Sequence, residues 1–391
     1  MQRRDFLRAT GMCLGGVATF GMPTARFARV PGDGRLVFVL LRGGVDGLAA
    51  VAPTFDPAWR DVRRQLAGDA DAMVQLADGF ALTPGLAPLH EFWDRDELAV
   101  LHAMAIPYRT RSHFDGQAIL ETGLDAPEGS ADGWLNRLLG VMEGQRAGIA
   151  IAAGMPRSLS GPNPVTSWSP TTLGVVGDAY LDRLHLLYRT DRTLSGRFES
   201  ALAQHDLGVE VESMGMGGAR NGGNAAALFR AAARLLTADG GPNVAAMEFS
   251  GWDTHVNQGT IGGPLDRLLG RLAEGLAVFR DAMGEEWRGT TVVVMTEFGR
   301  TARPNGSGGT DHGTAGAGFV LGSGVARRRV VADWPGLGER QLFEGRDLAP
   351  TLDVRAVLKG VLQGTFDLTA VQADRVFPGS ADIRALTGMM S

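Results

Sequence analysis

The chain has 391 residues, 44% of them hydrophobic and 21% charged, with 38 basic against 43 acidic side chains and a formal net charge of -5. This is the composition of a globular protein with ample material for a core, and the absence of any long basic block argues against a nucleic-acid partner. Lys359 is the only lysine, so nearly all positive charge is arginine, the side chain suited to paired contacts with oxyanions.

Gln2-Arg3-Arg4-Asp5-Phe6-Leu7 is a twin-arginine pattern, followed by a mildly apolar, glycine-rich segment from Ala9 to Met22. It predicts a twin-arginine signal peptide over residues 1–28, cleaved near Ala25 or Ala28, with the translocase as a transient partner and a periplasmic or extracellular destination. The segment is too short and too weakly apolar to be a membrane span. The one cysteine, Cys13, falls inside it, so the mature protein, expected to be a single domain over residues 29–391, has neither disulfides nor thiolate chemistry.

Arg35 to Leu41 is a continuous apolar run of strand length, as the interior of a parallel sheet requires. It runs into Arg42-Gly43-Gly44-Val45-Asp46-Gly47, where Asp46 is either a turn aspartate or the first acid of a site. Residues Ala52 to Leu98 read as helices and loops over the sheet. Leu98 to Met104 is a second strand, leading into Tyr108-Arg109-Thr110-Arg111-Ser112-His113-Phe114-Asp115. Ser112 and Asp115 have capping-box spacing, so a helix begins there, and a hydroxyl at a helix N-terminus lies where an oxyanion binds.

A short helix is expected over Trp134 to Met142, a strand over Gly148 to Ala152, and a long loop on the substrate side from Met155 to Pro170. Helical periodicity covers Tyr180 to His205 and Ala225 to Leu236, with glycine-rich sequence at Gly215 to Gly223 between them. Val244 to Phe249 is a strand ending in Trp252-Asp253-Thr254-His255. An amphipathic helix over Leu265 to Met283 connects it to the strand Thr291 to Met295. Strand, helix and strand in this order make the two strands parallel, which brings Asp253, His255 and Glu297 to one sheet edge. A last strand is expected at Gly318 to Gly322, a helix over Asp347 to Leu362 with Pro350 in its first turn, and a peripheral tail from Asp367.

Asp46, Ser112, His113, Asp253, His255, Glu297, Arg300 and His312 are thereby collected at one edge. Carboxylates and imidazoles in this mixture suit divalent zinc, manganese or magnesium, one or two ions. No dinucleotide fingerprint is present, and there is no cysteine for an iron–sulfur cluster.

The segments LRGGVDGL, RSHFDGQ, FSGWDTH, TEFGRT and TDHGTAGAGFVLG, with the twin-arginine start, resemble the DUF1501 family of exported bacterial proteins. The resemblance implies the alkaline phosphatase and sulfatase superfamily, an α/β fold built as a three-layer α/β/α sandwich on a mostly parallel sheet. It further implies metal ligands at Asp46, Asp253, His255, Glu297 and His312, with Ser112 as nucleophile or bridging hydroxyl, and His113 and Arg300 as catalytic groups. In that superfamily a histidine follows the acid at Glu297, whereas Phe298 stands here, so the second metal site loses one imidazole unless His113 or another residue replaces it. The expected activity is hydrolysis of a small or polymer-borne phosphate or sulfate ester. The alternative is a catalytically inactive binding protein on the same scaffold, working with another exported protein.

Overall fold

The computed structural model describes residues 34–142, 147–152, 154–170, 178–189, 191, 195, 225–326 and 329–390. The segment expected to be a signal peptide, Gly215 to Gly223 and the C-terminal part of the helix expected to reach His205 lie outside them. Among the described residues no helix is long and apolar enough to cross a membrane.

The chain enters through β1 (Arg35–Arg42) and a one-turn helix α1 (Gly47–Ala50). Next come β2 (Val51–Pro53), α2 (Trp59–Arg63), β3 (Val74–Gln75), β4 (Phe80–Leu82) and α3 (Leu89–Asp94). β5 (Leu98–Ala105), α4 (His113–Thr122), α5 (Trp134–Val141), β6 (Gly148–Ile151), β7 (Val165–Trp168) and α6 (Asp178–Tyr188) follow. The remainder is α7 (Ala225–Thr237), β8 (Val244–Ser250), α8 (Pro264–Met283), β9 (Thr290–Thr296), β10 (Gly316–Leu321), β11 (Arg329–Val331), β12 (Leu352–Asp353), α9 (Val354–Phe366) and α10 (Ala370–Val376).

Among the described residues, nine strands form one sheet in the order β11-β5-β10-β9-β1-β8-β6-β7, with β12 also on β5. All pairings are parallel except those of β10, which runs antiparallel to both β5 and β9. The helix α8 carries the chain from β8 to β9 across β1, which lies between them.

Alternation along β1 divides the core. Val37, Val39 and Leu41 pack with Phe92, Phe229, Leu272 and Phe279 on one face. Leu36, Phe38 and Leu40 pack with Ile119, Trp134, Leu138, Val357 and Val361 on the other. Helices therefore cover both faces, giving the expected three layers. Each such fully buried aliphatic or aromatic side chain stabilises by about 1.5–3 kcal/mol, which is why Leu36 to Leu41 of β1 carries no polar side chain.

Four expectations need correction. The segment Ala52 to Leu98 also holds a small antiparallel sheet in the order β2-β4-β3, whose strands are too short to show a period. The loop from Met155 contains β7, an edge strand parallel to β6. The helix expected from Asp347 begins only at Val354, because Leu352 and Asp353 pair with β5 and Asp353 caps the helix by accepting from the Arg355 amide at 2.8 Å. The tail is no appendage: Phe377 and Met389 are fully buried, and Lys359 Nζ donates to Asp374 at 2.6 Å and to the carbonyls of Ser380 and Ile383.

Register places the functional loops. Arg42 stands beside Ser250, and Leu41 beside Thr296. β5 runs in the same sense as β9, since β10 is antiparallel to both. The C-terminal ends of β1, β5, β8 and β9 thus share one edge, and His312 arrives there just before β10 starts.

Candidate metal centre

Three loops build the site. After β8, Trp252 is buried, its indole N–H bonded to the Phe249 carbonyl at 3.0 Å, and it pins the loop to the core. Two successive three-residue turns follow, with Thr254 N–H on the Trp252 carbonyl and His255 N–H on the Asp253 carbonyl. They turn Asp253 and His255 into a common space. After β9, Arg300 and His312 pair as an antiparallel bridge. Between them Asn305 ties the loop, donating to the His255 carbonyl at 2.9 Å and to Asp311 at 3.0 Å. Gly309 passes so near that loop that a Cβ would lie 2.3 Å from the Thr254 oxygen. Ser112 caps α4 by accepting from the Asp115 amide at 3.5 Å, which leaves His113 as the first helical residue.

The imidazoles of His113, His255 and His312 converge, three of the seven histidines in the chain. His312 Nε2 lies 2.9 Å from Nε2 of His113 and 2.9 Å from Nε2 of His255. Asp253 Oδ1 is 3.1 Å from His255 Nε2 and 3.2 Å from His312 Nε2, and its Oδ2 is 3.5 Å from His113 Nε2. His113, Asp253 and His312 each place a ligand atom within 4.8 Å of the other two. His255 joins at the edge shared by His312 and Asp253.

The outer nitrogens decide what this means. His113 Nδ1 is 2.7 Å from Glu297 Oε1, His255 Nδ1 is 3.2 Å from Asp311 Oδ1, and His312 Nδ1 is 3.1 Å from the Arg111 carbonyl. Each partner is an oxygen acceptor; with the hydrogen on Nδ1, a neutral ring would point an Nε2 lone pair inward. Three ring nitrogens and a carboxylate face one another there. Separations of 2.9–3.5 Å match the roughly 3.3 Å edges of a tetrahedron of nitrogen and oxygen ligands at zinc distances. The residues present therefore fit a cation.

Glu297 is fully buried and stands behind the site. Besides His113 it accepts from the Gly43 amide at 2.9 Å, from Gln117 at 3.0 Å and from Thr296 at 3.1 Å. Burial pushes its carboxyl upward, but the His113 and Gln117 hydrogen bonds outweigh this and hold it below its ordinary value. The same bond raises His113 above the usual histidine range. Burial, then positive charge on His113, lowers His312. For Asp253, burial raises the carboxyl, and Arg300 more than reverses it.

The remaining expected residues do other things. Asp46 is 1% exposed and pairs with the fully buried Arg63, accepts from Gln258 at 2.7 Å and caps α1. Its carboxylate is occupied there rather than on the histidines. The Arg300 side chain is fully buried, with Nη1 2.5 Å from Asp253 and other N–H groups on Thr310. It reaches the site through Asp253. Phe298 packs its ring 4.9 Å from that of His113 and 5.3 Å from that of His312. It fits because Gly44, at φ +70°, leaves the space a Cβ would take 2.7 Å from the ring.

Sequence reasoning missed Gln117, Asp311, Arg63 and Gln258. Gln117 follows His113 by one helical turn and Asp311 adjoins His312, so both had a positional signal. Arg63 and Gln258 had none.

Residues 93–378 match the family described as "Protein of unknown function (DUF1501)". No curated protein matches the chain. Among solved structures the chain is similar to Ps i-CgsB in complex with k-i-k-neocarrahexaose, at 10% identity and TM-score 0.41, over 91% of this chain and 75% of that one. A protein in the alkaline phosphatase superfamily from Vibrio parahaemolyticus gives 13% identity and TM-score 0.37, over 77% and 64%. The C-terminal periplasmic domain of EcEptC from Escherichia coli, in complex with Zn, gives 10% identity and TM-score 0.35, over 75% and 74%.

Proposed function

The chain belongs to the DUF1501 family, and we propose that this member is a metal-dependent hydrolase of phosphate or sulfate esters, with one divalent ion held by His113, Asp253 and His312 and with His255 as fourth ligand. The observation that carries the reading is the convergence of the Nε2 atoms of three histidines on Asp253, each ring having an oxygen acceptor at its Nδ1. Imidazole-rich ligation favours zinc over manganese or magnesium. When bound, such an ion supplies Lewis acidity toward an ester oxygen.

The protein's own groups have separate tasks. Glu297 and Asp311 orient two ligand rings and raise their basicity. Arg300 holds Asp253 in place. Ser112, one residue before His113 at the helix N-terminus, is the candidate nucleophile, and the free amides there favour an anionic group. Asp46 and Glu297 serve the frame rather than the ion in this reading. Export through the twin-arginine route, on the evidence of Arg3 and Arg4, would place the activity outside the cytoplasm.

Phe298 favours a second reading, a binding protein on a retired hydrolase scaffold, because an apolar ring covers His113 and His312 where the superfamily resemblance implies another imidazole. A panel of phosphate and sulfate monoesters and diesters, run on the zinc- and manganese-loaded protein, separates the two. The hydrolase reading expects turnover that is lost in Ser112→Ala with the ion retained. A folded, ion-loaded wild-type protein silent across the panel would overturn it in favour of binding.

A further inference from the structure

We propose that Arg111, clamped by the buried Asp347, is a positioning residue whose backbone carbonyl fixes His312 in the tautomer that presents a lone pair at Nε2. The purpose of that lone pair rests on the metal reading above, whereas the tautomer itself is a property of the metal-free protein.

His312 differs from its two neighbours. His113 and His255 direct Nδ1 at carboxylates, while His312 directs it at the peptide oxygen of Arg111, 3.1 Å away. A peptide carbonyl is uncharged, and its aim depends wholly on the backbone. That backbone is unusual: Arg111 has φ +65°, a left-handed conformation that side-chain-bearing residues rarely take. Such a conformation persists when surrounding contacts over-determine it.

Those contacts converge on one short segment, Glu344 to Asp347. Arg111 Nε donates to Asp347 Oδ2 at 2.8 Å, and its Nη2 lies 2.8 Å from the same oxygen and 2.5 Å from Glu344 Oε2. Asp347 is fully buried and also accepts from Thr314, two residues beyond His312, at 2.9 Å. Arg346 Nη2 donates to the His312 carbonyl at 2.8 Å, and Asp347 bridges Thr301 just as His312 bridges Arg300. One segment thus holds both ends of the His312–Arg111 hydrogen bond, the donor through its backbone and the acceptor through its side chain. A staple serving stability alone would have no reason to aim this carbonyl at a ring nitrogen.

The test is nitrogen-15 NMR of histidine-labelled, metal-free protein at a pH where the rings are neutral. Wild type is expected to show His312 protonated at Nδ1 only. Asp347→Asn, and Arg111→Gly, which tolerates the left-handed backbone but lacks the clamp, are expected to show mixed tautomers at His312 while His113 and His255 keep theirs. Cobalt titration of the same variants should show affinity reduced about 10–100-fold. Should Asp347→Asn fail to fold, Arg111→Gly decides alone. A folded variant with the wild-type His312 tautomer overturns the inference. A wild-type protein with the fixed tautomer but no cobalt binding overturns the metal reading and leaves the positioning role standing.

Discussion

Asp46 and Asp253 follow the ends of neighbouring parallel strands, and their surroundings make them opposites. Asp46 is buried among donors: Arg63, Gln258 and the Ala49 amide answer its two oxygens. Asp253 has a side chain 43% exposed, a donor in Arg300, and otherwise the Nε2 atoms of three histidines. A closed set of donors and acceptors is structure, and an excess of acceptors with an opening to solvent is a place for a cation. His102 makes the same point. It is fully buried, but its Nε2 meets the Val51 carbonyl at 2.9 Å and its Nδ1 meets the Ala103 amide at 2.8 Å, so a single neutral tautomer satisfies both nitrogens.

The comparison breaks most visibly at Asp46. Replacing it by alanine strands Arg63 in the core, and the expected loss is about 3–5 kcal/mol of folding stability in urea unfolding. A loss below about 1 kcal/mol would show that the pair is not structural. His102 comes next. Burial lowers its pKa to about 4. The unfolded chain takes up this proton near pH 6.5 and the folded one only near 4, so stability present above 6.5 is lost as pH falls toward 4, up to roughly 3 kcal/mol. In His102→Gln that part of the acid dependence should vanish, and a persisting slope would assign it elsewhere.

Smaller effects sharpen the other half. Glu297→Gln keeps the shape but weakens the hold on His113, and zinc affinity in a competition assay should fall about 10–100-fold. Unchanged affinity would remove Glu297 from any part in the centre. The pH dependence is subtler. The raised His113 pKa means the metal-free pair stabilises below the ordinary histidine value and loses that contribution as pH rises through the folded value. The lowered Glu297 pKa means its share is present above the ordinary glutamate value and is lost as pH falls through the depressed one. Because a protonated His113 cannot ligate, zinc affinity should rise about tenfold per pH unit until the ring is neutral. A flat profile would place the ion away from His113.

Much of this was readable from sequence because a sheet buried on both faces demands continuous apolar strands. Leu36 to Leu41, Leu98 to Met104, Val244 to Phe249 and Thr291 to Met295 stand out for that reason. The polar residues at their ends, together with His312, then select themselves. What stayed hidden depends on partners distant in the chain. Nothing near Arg63 marks it as the counter-ion of Asp46, 17 residues away. Arg300, beside a strand end, gives no sign that its side chain is wholly enclosed. β12 is two residues long and was absorbed into the helix that follows it, since a pair of residues carries no period.

The most direct measurement is the metal content of the purified protein after equilibration with zinc and removal of excess, determined for wild type, His312→Ala and Asp46→Asn. One ion per chain is expected in wild type, none in His312→Ala, and one in whatever fraction of Asp46→Asn remains folded. Two ions in wild type with one lost in Asp46→Asn would contradict the division between the two aspartates, and no ion in a folded wild-type protein would contradict the metal centre itself.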